Sequence, residues 1–535
     1  MNLEMLVGHP SGSALIDDYV TGRGTARSFF RWDWTDRNSY AERAREVAER
    51  FDRPARECVA SILSPREGAA GDHLERWVRD GGFVVTTGQQ PGLFAGPLHT
   101  VYKALTAVRL AEELESFLGV PVLPVFWVAS EDHDWEEAHD TWIVGVDNEL
   151  LRIELRDPDE ADRERPLHRV TTSFDEAATA LLTQLPETDF REDLTNLIET
   201  CWGPTCTNLP EAFRCTIEEL LAPLGLYCVS AHDPSLKDAS TDVLLAELYG
   251  SSEHEALLTE RTRALESAGY RGQVTILDGG VNLLVEGEAG RERLYRDGDG
   301  YRLPRSGRRM SAAEVEEAVR GGAHLVSPNV LLRPVVEAVV LPTLAYVGGP
   351  SEVAYFAQLG PLFQAHGVGM PVAVPRRSVT LVEGKVRKVL DKFGLDTAAL
   401  EKPFHELVGE ITREEIPDGV RDALTTLRRS IAEGTASLLQ AAKDVDPTLK
   451  GPITHVRTTA FDSLSEAEKK ILQAVRRENE IALQQLEKAR LHLYPDGRPQ
   501  ERVLNVFYYL ARYGRAFLDA LLERLDPLPD AEPRE

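Results

Sequence analysis

Between Phe83 and Ser130 the chain presents an order of segments that few folds accept. FVVTTG (83–88) is a short apolar run, and the loop that begins at its Gly88 carries three glycines and two prolines. Val101, Leu105, Val108, Leu114 and Leu118 then mark a helical period, and VPVLPVFWVAS (120–130) is a second apolar run. A strand, a helix and a strand of this length form a βαβ unit, which needs a parallel sheet covered on both faces. LGLYCVS (224–230) and VVLPTLAYVGG (339–349) are further apolar runs ending in small residues. The expected class is therefore α/β, with strands alternating with helices. At 535 residues the chain is too long for one hydrophobic core, so more than one folded unit is expected.

The alternation is interrupted. The charged stretch at about 147–216 reads as an insertion. QVTILDGGVNLLVEGEAGRERLYRDGDGYRL, within a second insertion at about 270–320, reads as an antiparallel hairpin excursion. After Lys385 glycine becomes sparse and the pattern turns helical. Leu424, Leu427, Ile431, Gly434, Leu438, Ala441 and Val445 step by three and four residues. So do Leu472, Val475, Asn479, Ala482, Leu486, Ala489 and Leu493. Two such runs predict an antiparallel helical coiled coil, with Asn479 as a register-setting polar seam residue. The expected division is 1–384 for the core with its insertions, 385–505 for the coiled coil, and 506–535 for a last helix and a frayed polar tail.

Charge narrows the function classes. Sixty basic against 87 acidic residues give a net charge of −27, which repels phosphate backbones, so no nucleic-acid partner is expected. No apolar stretch approaches the roughly 20 residues of a membrane span, and the first residues lack the pattern of a secretory signal. Five cysteines in such a chain suggest a reducing cytoplasm. Cys201, Cys206 and Cys215 have gaps unlike structural zinc sites and read as small buried hydrophobes.

Three stretches carry candidate chemistry. In TTGQQPGLFAGPLHTVYKALTAVRL (86–110), Gly88, Gln89, Gln90, His99, Tyr102 and Lys103 surround a strand-to-helix loop at the carboxyl edge of a sheet, where anions and nucleotides bind. The loop is neither G-x-G-x-x-G nor a Walker A. SEDHDWEE (130–137) offers Asp132, His133 and Asp134 as acid/base groups, with His133 expected to gain basicity from its acidic neighbours. No second His or Cys stands at a metal-binding spacing, so no metal site is expected. In SPNVLLRPVVEAVVLPTLAYVGGPSEVAYFAQLGPLF (327–363), Asn329 and Arg333 are candidate carboxylate binders. Gly348 and Gly349 would permit close approach of a ligand, and Glu352 lies in the first helical turn.

Taken together, TTGQQPGLFAGPLHTVYKA, VFWVASEDHDWEE, SPNVLLRPVVEAVVLPTLAYVGGPSEVAYFAQL and YPDGRPQERVLNVFYYLARYG resemble the BshC family of bacillithiol synthesis. The resemblance implies a Rossmann-like core with connecting-peptide insertions, akin to class I aminoacyl-tRNA synthetases, and a C-terminal coiled coil that forms a homodimer. It implies a cytoplasmic ligase joining the carboxyl of L-cysteine to the amine of glucosaminyl-malate, the last step of the pathway. GPLH (96–99) matches the start of the synthetase signature G-P-x-H-x-G-H, but its later glycine and histidine are absent. No K-M-S-K-S follows, and the nearest basic loop is PRRS (375–378). The resemblance also implies a nucleotide, ATP or ADP, near YPDGRPQER (494–502), beside Arg498 and Arg502. On this reading His99 and Lys103 stabilise developing negative charge, an acid of 131–134 takes the amine proton, and Arg333 or Arg376 holds the malyl carboxylate. The alternatives are another class I-like nucleotidyl or aminoacyl transferase acting on a small amine, or a non-catalytic coiled-coil scaffold.

Overall fold

The computed structural model describes residues 2–63, 68–159, 162, 164–288 and 290–528. The tail expected at the C-terminus falls largely on 529–535, outside the described residues. The chain divides into two compact units, one built from 5–380 with 501–535 and the other from 2–4 with 381–500.

The first unit is organised on five parallel strands. β1 (Phe83–Gln89), α1 (Leu98–Leu118) and β2 (Val122–Val128) form the expected βαβ unit. β3 (Tyr227–Ser230) follows, then the long α2 (Pro234–Ser267). β4 (Thr343–Gly348), α3 (Pro350–Ala365) and β5 (Val372–Pro375) complete the layer. The strand order is β5-β4-β1-β2-β3, with every neighbouring pair parallel. The chain therefore builds outward from β1 to β3, then returns to the other side of β1 for β4 and β5. This is the doubly wound Rossmann-like order, and the direction reverses between β1 and β4. β2 and β4 are buried along their whole length and β1 up to Gln89, as covering on both faces requires. Val101, Leu105 and Val108 of α1 are buried, each contributing about 1.5–3 kcal/mol. Gly119 ends the helix with φ 71°, a left-handed cap that glycine adopts without strain.

The interruptions take definite forms. After β2 come an antiparallel pair, Asp140–Val144 with Leu150–Glu154, and the helices Asp175–Gln184, Arg191–Trp202 and Leu209–Leu221. The expected hairpin near 270–310 belongs to a larger antiparallel sheet of five strands, Gly280–Gly287, Gly290–Asp297, Gly300–Arg302, Arg309–Met310 and Val326–Pro328.

The second unit is helical. Gly384–Phe393, Phe404–Glu414 and α6 (Glu480–Leu493) share a core of Val386, Leu390, Leu407, Ile411, Leu486 and Leu493. α4 (Asp418–Ala442) pairs with α5 (Lys450–Glu478), tied by an Arg428–Glu468 ion pair of 2.8 Å. The second helical run does not continue as one helix through 472–493. Asn479, at φ −99° and ψ 10°, separates α5 from α6, and its side-chain amide donates to Glu415 at 3.0 Å. Asn479 therefore marks a joint where the sequence reading expected a seam residue. No described helix is long and apolar enough to cross a membrane.

Residues 501–505 lie with the first unit. The reason is polar anchoring: Glu501 and Asn505 are both buried there against partners more than a hundred residues away.

Candidate active site at the strand-order reversal

β1 ends at Gly88-Gln89 and β4 at Gly348, so the crevice of the reversal opens between them. Lys103, in the second turn of α1, is buried beneath it. Its ammonium donates to the Gly88 carbonyl, to Gln89 Oε1 at 3.1 Å and to Glu352 Oε2 at 2.6 Å. A lysine has three donors, and all three are used. Glu352 also accepts from Gly349 N at 2.8 Å and from the Tyr346 hydroxyl. Burial lowers the Lys103 pKa, while Glu352 opposes that shift. Burial pulls the Glu352 pKa up, but the Lys103 charge and these hydrogen bonds outweigh it and keep the carboxyl below its usual range.

Arg376 follows β5 and is 1% exposed. It grips Glu501 with both terminal nitrogens, at 2.9 and 2.7 Å, and its backbone N–H donates to the Gly348 carbonyl at 2.9 Å. Arg333 pairs with buried Glu337 at 2.6 Å, which also receives the Thr86 hydroxyl. The Arg333 guanidinium lies 5.2 Å from the Tyr346 ring centroid. Three cations thus each hold a carboxylate, and among the described residues the crevice carries no bare cluster of positive charge.

His99 completes the group. Its Nδ1 lies 3.2 Å from the Glu501 carbonyl, an acceptor only, so that nitrogen carries the proton. Burial, with Arg376 and Lys103 nearby, holds the pKa well below 6.5. The ring is neutral and Nε2 presents a lone pair. It therefore accepts a proton or hydrogen bond, in contrast to the anion-stabilising role expected from sequence. Three polar atoms nearby are buried with no hydrogen-bond partner among the described residues: the Tyr102 hydroxyl, Thr100 Oγ1 and Arg376 Nε. Buried polar groups in folded proteins are nearly always paired, so each of these orphans is a candidate contact for a polar ligand.

The loop into α1 is strained. Phe94, Ala95 and Gly96 have φ of 51, 70 and 67° in succession, a conformation unfavourable to the first two. Asn505 holds it, donating through its amide to the Phe94 carbonyl at 2.9 Å and the Gly96 carbonyl at 3.1 Å. The Phe94 ring packs on Trp202 at 4.8 Å.

The acidic turn lies beside this crevice, along the same sheet edge. Gln89 pairs with Val128 in register, and the Gln90 amide donates to Asp132 Oδ2 at 2.6 Å. The other Asp132 oxygen accepts the backbone N–H groups of His133 and Asp134 at 2.7 and 3.1 Å. Asp134 caps the short helix Trp135–Ala138. Both acids are thus committed to holding the turn. His133 is not made more basic: burial, then Arg291, lowers its pKa. Its Nδ1 is buried without a hydrogen-bond partner among the described residues.

The remaining candidates have structural settings. Asn329 accepts from Leu331 N and Leu332 N and donates to Asn282, so it holds the turn that precedes the helix Arg333–Val340. A side chain on Gly88 would stand 2.8 Å from the Trp127 carbonyl, so its bareness serves the β1–β2 contact. At Gly348 the space is taken by Glu352, Tyr346 and Val353. At Gly349 a Cβ would stand 3.3 Å from Glu352 Oε2 and 3.9 Å from Arg376 Nε. Arg498 and Arg502 are exposed. Cys201 and Cys215 form a disulfide, correcting the expectation of unpaired buried thiols. Their helices bring the two Cα atoms to 5.4 Å, within bonding range, which spacing alone could not show.

Glu501, Glu337 and Asn505 escaped the sequence reading. Arg333 and Glu337, four residues apart on one helix, gave a readable signal. Glu501 and Asn505 gave none, since their partners are distant in sequence.

Comparison with known proteins agrees with this architecture. Residues 1–377 match the family model for the bacillithiol biosynthesis BshC N-terminal Rossmann-like domain, and 379–531 the BshC C-terminal coiled-coil domain. A protein of Salinibacter ruber named "Putative cysteine ligase BshC" is 33% identical over 525 residues, covering 96% of this chain and 94% of its own. One of the same name from Heliobacterium modesticaldum is 34% identical, with 96% of each chain covered. Another from Bacillus mycoides is 27% identical, with 95% of each covered. With both family models spanning nearly all of its length, the chain belongs to the BshC family.

Proposed function

We propose that this ligase joins the carboxyl of L-cysteine to the amine of glucosaminyl-malate, the amide bond that completes bacillithiol. Family membership supports the reaction class. The observation that carries the placement is the group of orphaned polar atoms, Tyr102 hydroxyl, Thr100 Oγ1 and Arg376 Nε, beside the neutral His99.

A free carboxylate does not react with an amine until it is activated, and ATP is the proposed co-substrate. The activated cysteine carboxyl lies in the β1–β4 crevice, its oxygens meeting the Tyr102 hydroxyl and Arg376 Nε. The glucosaminyl amine attacks the carbonyl carbon, a C–N bond forms and the activating group leaves with its electron pair. His99 Nε2 takes the amine proton. Lys103 and Glu352 act as a clamp that fixes β1 against α3. Exposed Arg498 and Arg502 are proposed nucleotide contacts. Incubating the purified chain with ATP, L-cysteine and glucosaminyl-malate and weighing the product tests the reading. A product mass of bacillithiol supports it, and no turnover of either small substrate overturns it.

Leu427, Leu438 and Val456 on α4 and α5 are 50%, 52% and 56% exposed. We propose that this apolar surface pairs two copies of the chain. Sedimentation showing a monomer at micromolar concentration would contradict it.

A further inference from the structure

Away from the crevice, α2 and the C-terminal end of α3 bring together three side chains that the proposed reaction does not use. Glu247 and His254 stand two turns apart on α2, and His366 caps α3. Glu247 is fully buried, the His254 side chain is 7% exposed and that of His366 2%. His254 Nδ1 lies 2.7 Å from Glu247 Oε2, and His366 Nε2 lies 3.7 Å from the same oxygen. One donor atom from each residue falls within 4.8 Å of the others. We propose that Glu247, His254 and His366 bind a zinc ion.

Two independent features point to an ion. His366 Nε2 is buried and has no hydrogen-bond partner among the described residues, and its approach to Glu247 is too long for a hydrogen bond. A cation between the three groups would take that lone pair, together with the carboxylate and the second imidazole. Gly250 makes the room: a Cβ there would stand 2.7 Å from His254 Cε1 and 2.8 Å from Nε2, so any side chain would displace the ring.

The chemistry selects the metal. Two imidazoles and one carboxylate suit zinc, with a fourth position left for water, whereas calcium and magnesium prefer oxygen ligands. The other Glu247 oxygen accepts from Asn282 N at 2.9 Å, an outer contact that would orient the carboxylate. Sixteen residues of α3 at about 1.5 Å each separate this cluster from the crevice, so the ion would take no part in the proposed reaction.

The test uses the full chain, stripped with a chelator and titrated with zinc alone. Wild type is expected to bind one equivalent more than His366→Ala, and its thermal midpoint to rise with zinc where that variant's does not. Gly250→Ala retains all three ligands and is expected to bind at least about tenfold more weakly. Cobalt in the wild-type chain should show the intense visible absorption of a four-coordinate site. Equal zinc uptake by wild type and His366→Ala, or a weak six-coordinate cobalt spectrum, would overturn the proposal.

Discussion

Two neighbouring stretches of one sheet edge look equally reactive on paper and differ in what they leave available. The acidic turn at 130–137 holds five acids and a histidine, yet Asp132 and Asp134 spend their oxygens on Gln90 and on the turn's own N–H groups. The β1–β4 crevice is poorer in formal charge, because Lys103, Arg333 and Arg376 are each paired with a carboxylate. It nevertheless retains a hydroxyl on Tyr102, a hydroxyl on Thr100 and Nε of Arg376 with no partner among the described residues, where the acidic turn retains His133 Nδ1. Residue type tells what a group can do, and its free valence tells whether it is at liberty to do it.

That contrast can be broken by mutation. Arg376→Ala leaves Glu501 buried and uncompensated and should cost about 3–5 kcal/mol in denaturant unfolding. A loss under 1 kcal/mol would show that the pair is not buried as described.

Acid should act next most strongly. Burial, aided by Arg377, lowers the His9 pKa to about 4, and burial, aided by His232, does the same for His168. In the folded chain both stay neutral below pH 6.5, where the unfolded chain binds protons. Stability is therefore full above about pH 6.5 and is lost as pH falls towards 4. The expected loss is about 2 kcal/mol per histidine by pH 5, read from urea midpoints. Replacing each with Gln should flatten the profile.

Removing the Asn505 amide frees the Phe94 and Gly96 carbonyls, and Asn505→Ala should cost about 2 kcal/mol. The strained loop would then relax, so proteolysis between Gln90 and Leu98 should quicken. Asp132→Asn keeps the shape of the turn and loses charge-assisted bonds, for about 1 kcal/mol.

Legibility followed the range of the forces. Phe83–Gln89 and Val122–Val128 were readable because apolar runs ended at glycine or small polar residues. α1 was readable from its period, and it begins at Leu98, three residues before the first periodic position, Val101. β5, four residues long, was too short to stand out. In VVLPTLAYVGG the first two valines belong to the preceding helix Arg333–Val340. The loop and the candidate residues beside it stand out in the sequence because glycine, His99, Tyr102 and Lys103 are crowded into one stretch. The pairings Arg376–Glu501 and Asn505–Phe94 span 125 and 411 residues, and no local pattern encodes them. Asn479 reads as a seam residue by spacing, but its backbone angles make it a break between α5 and α6.

The most direct measurement compares Tyr102→Phe with Asp132→Asn in the ligation assay, with unfolding free energy measured alongside. Tyr102→Phe removes one unpaired buried hydroxyl, so stability should hold or rise slightly while kcat/KM falls at least about tenfold. Asp132→Asn should lose stability and keep kcat/KM within about threefold. The reverse pattern, with Tyr102→Phe fully active and Asp132→Asn inactive but stable, would move the chemistry to the acidic turn and contradict the account.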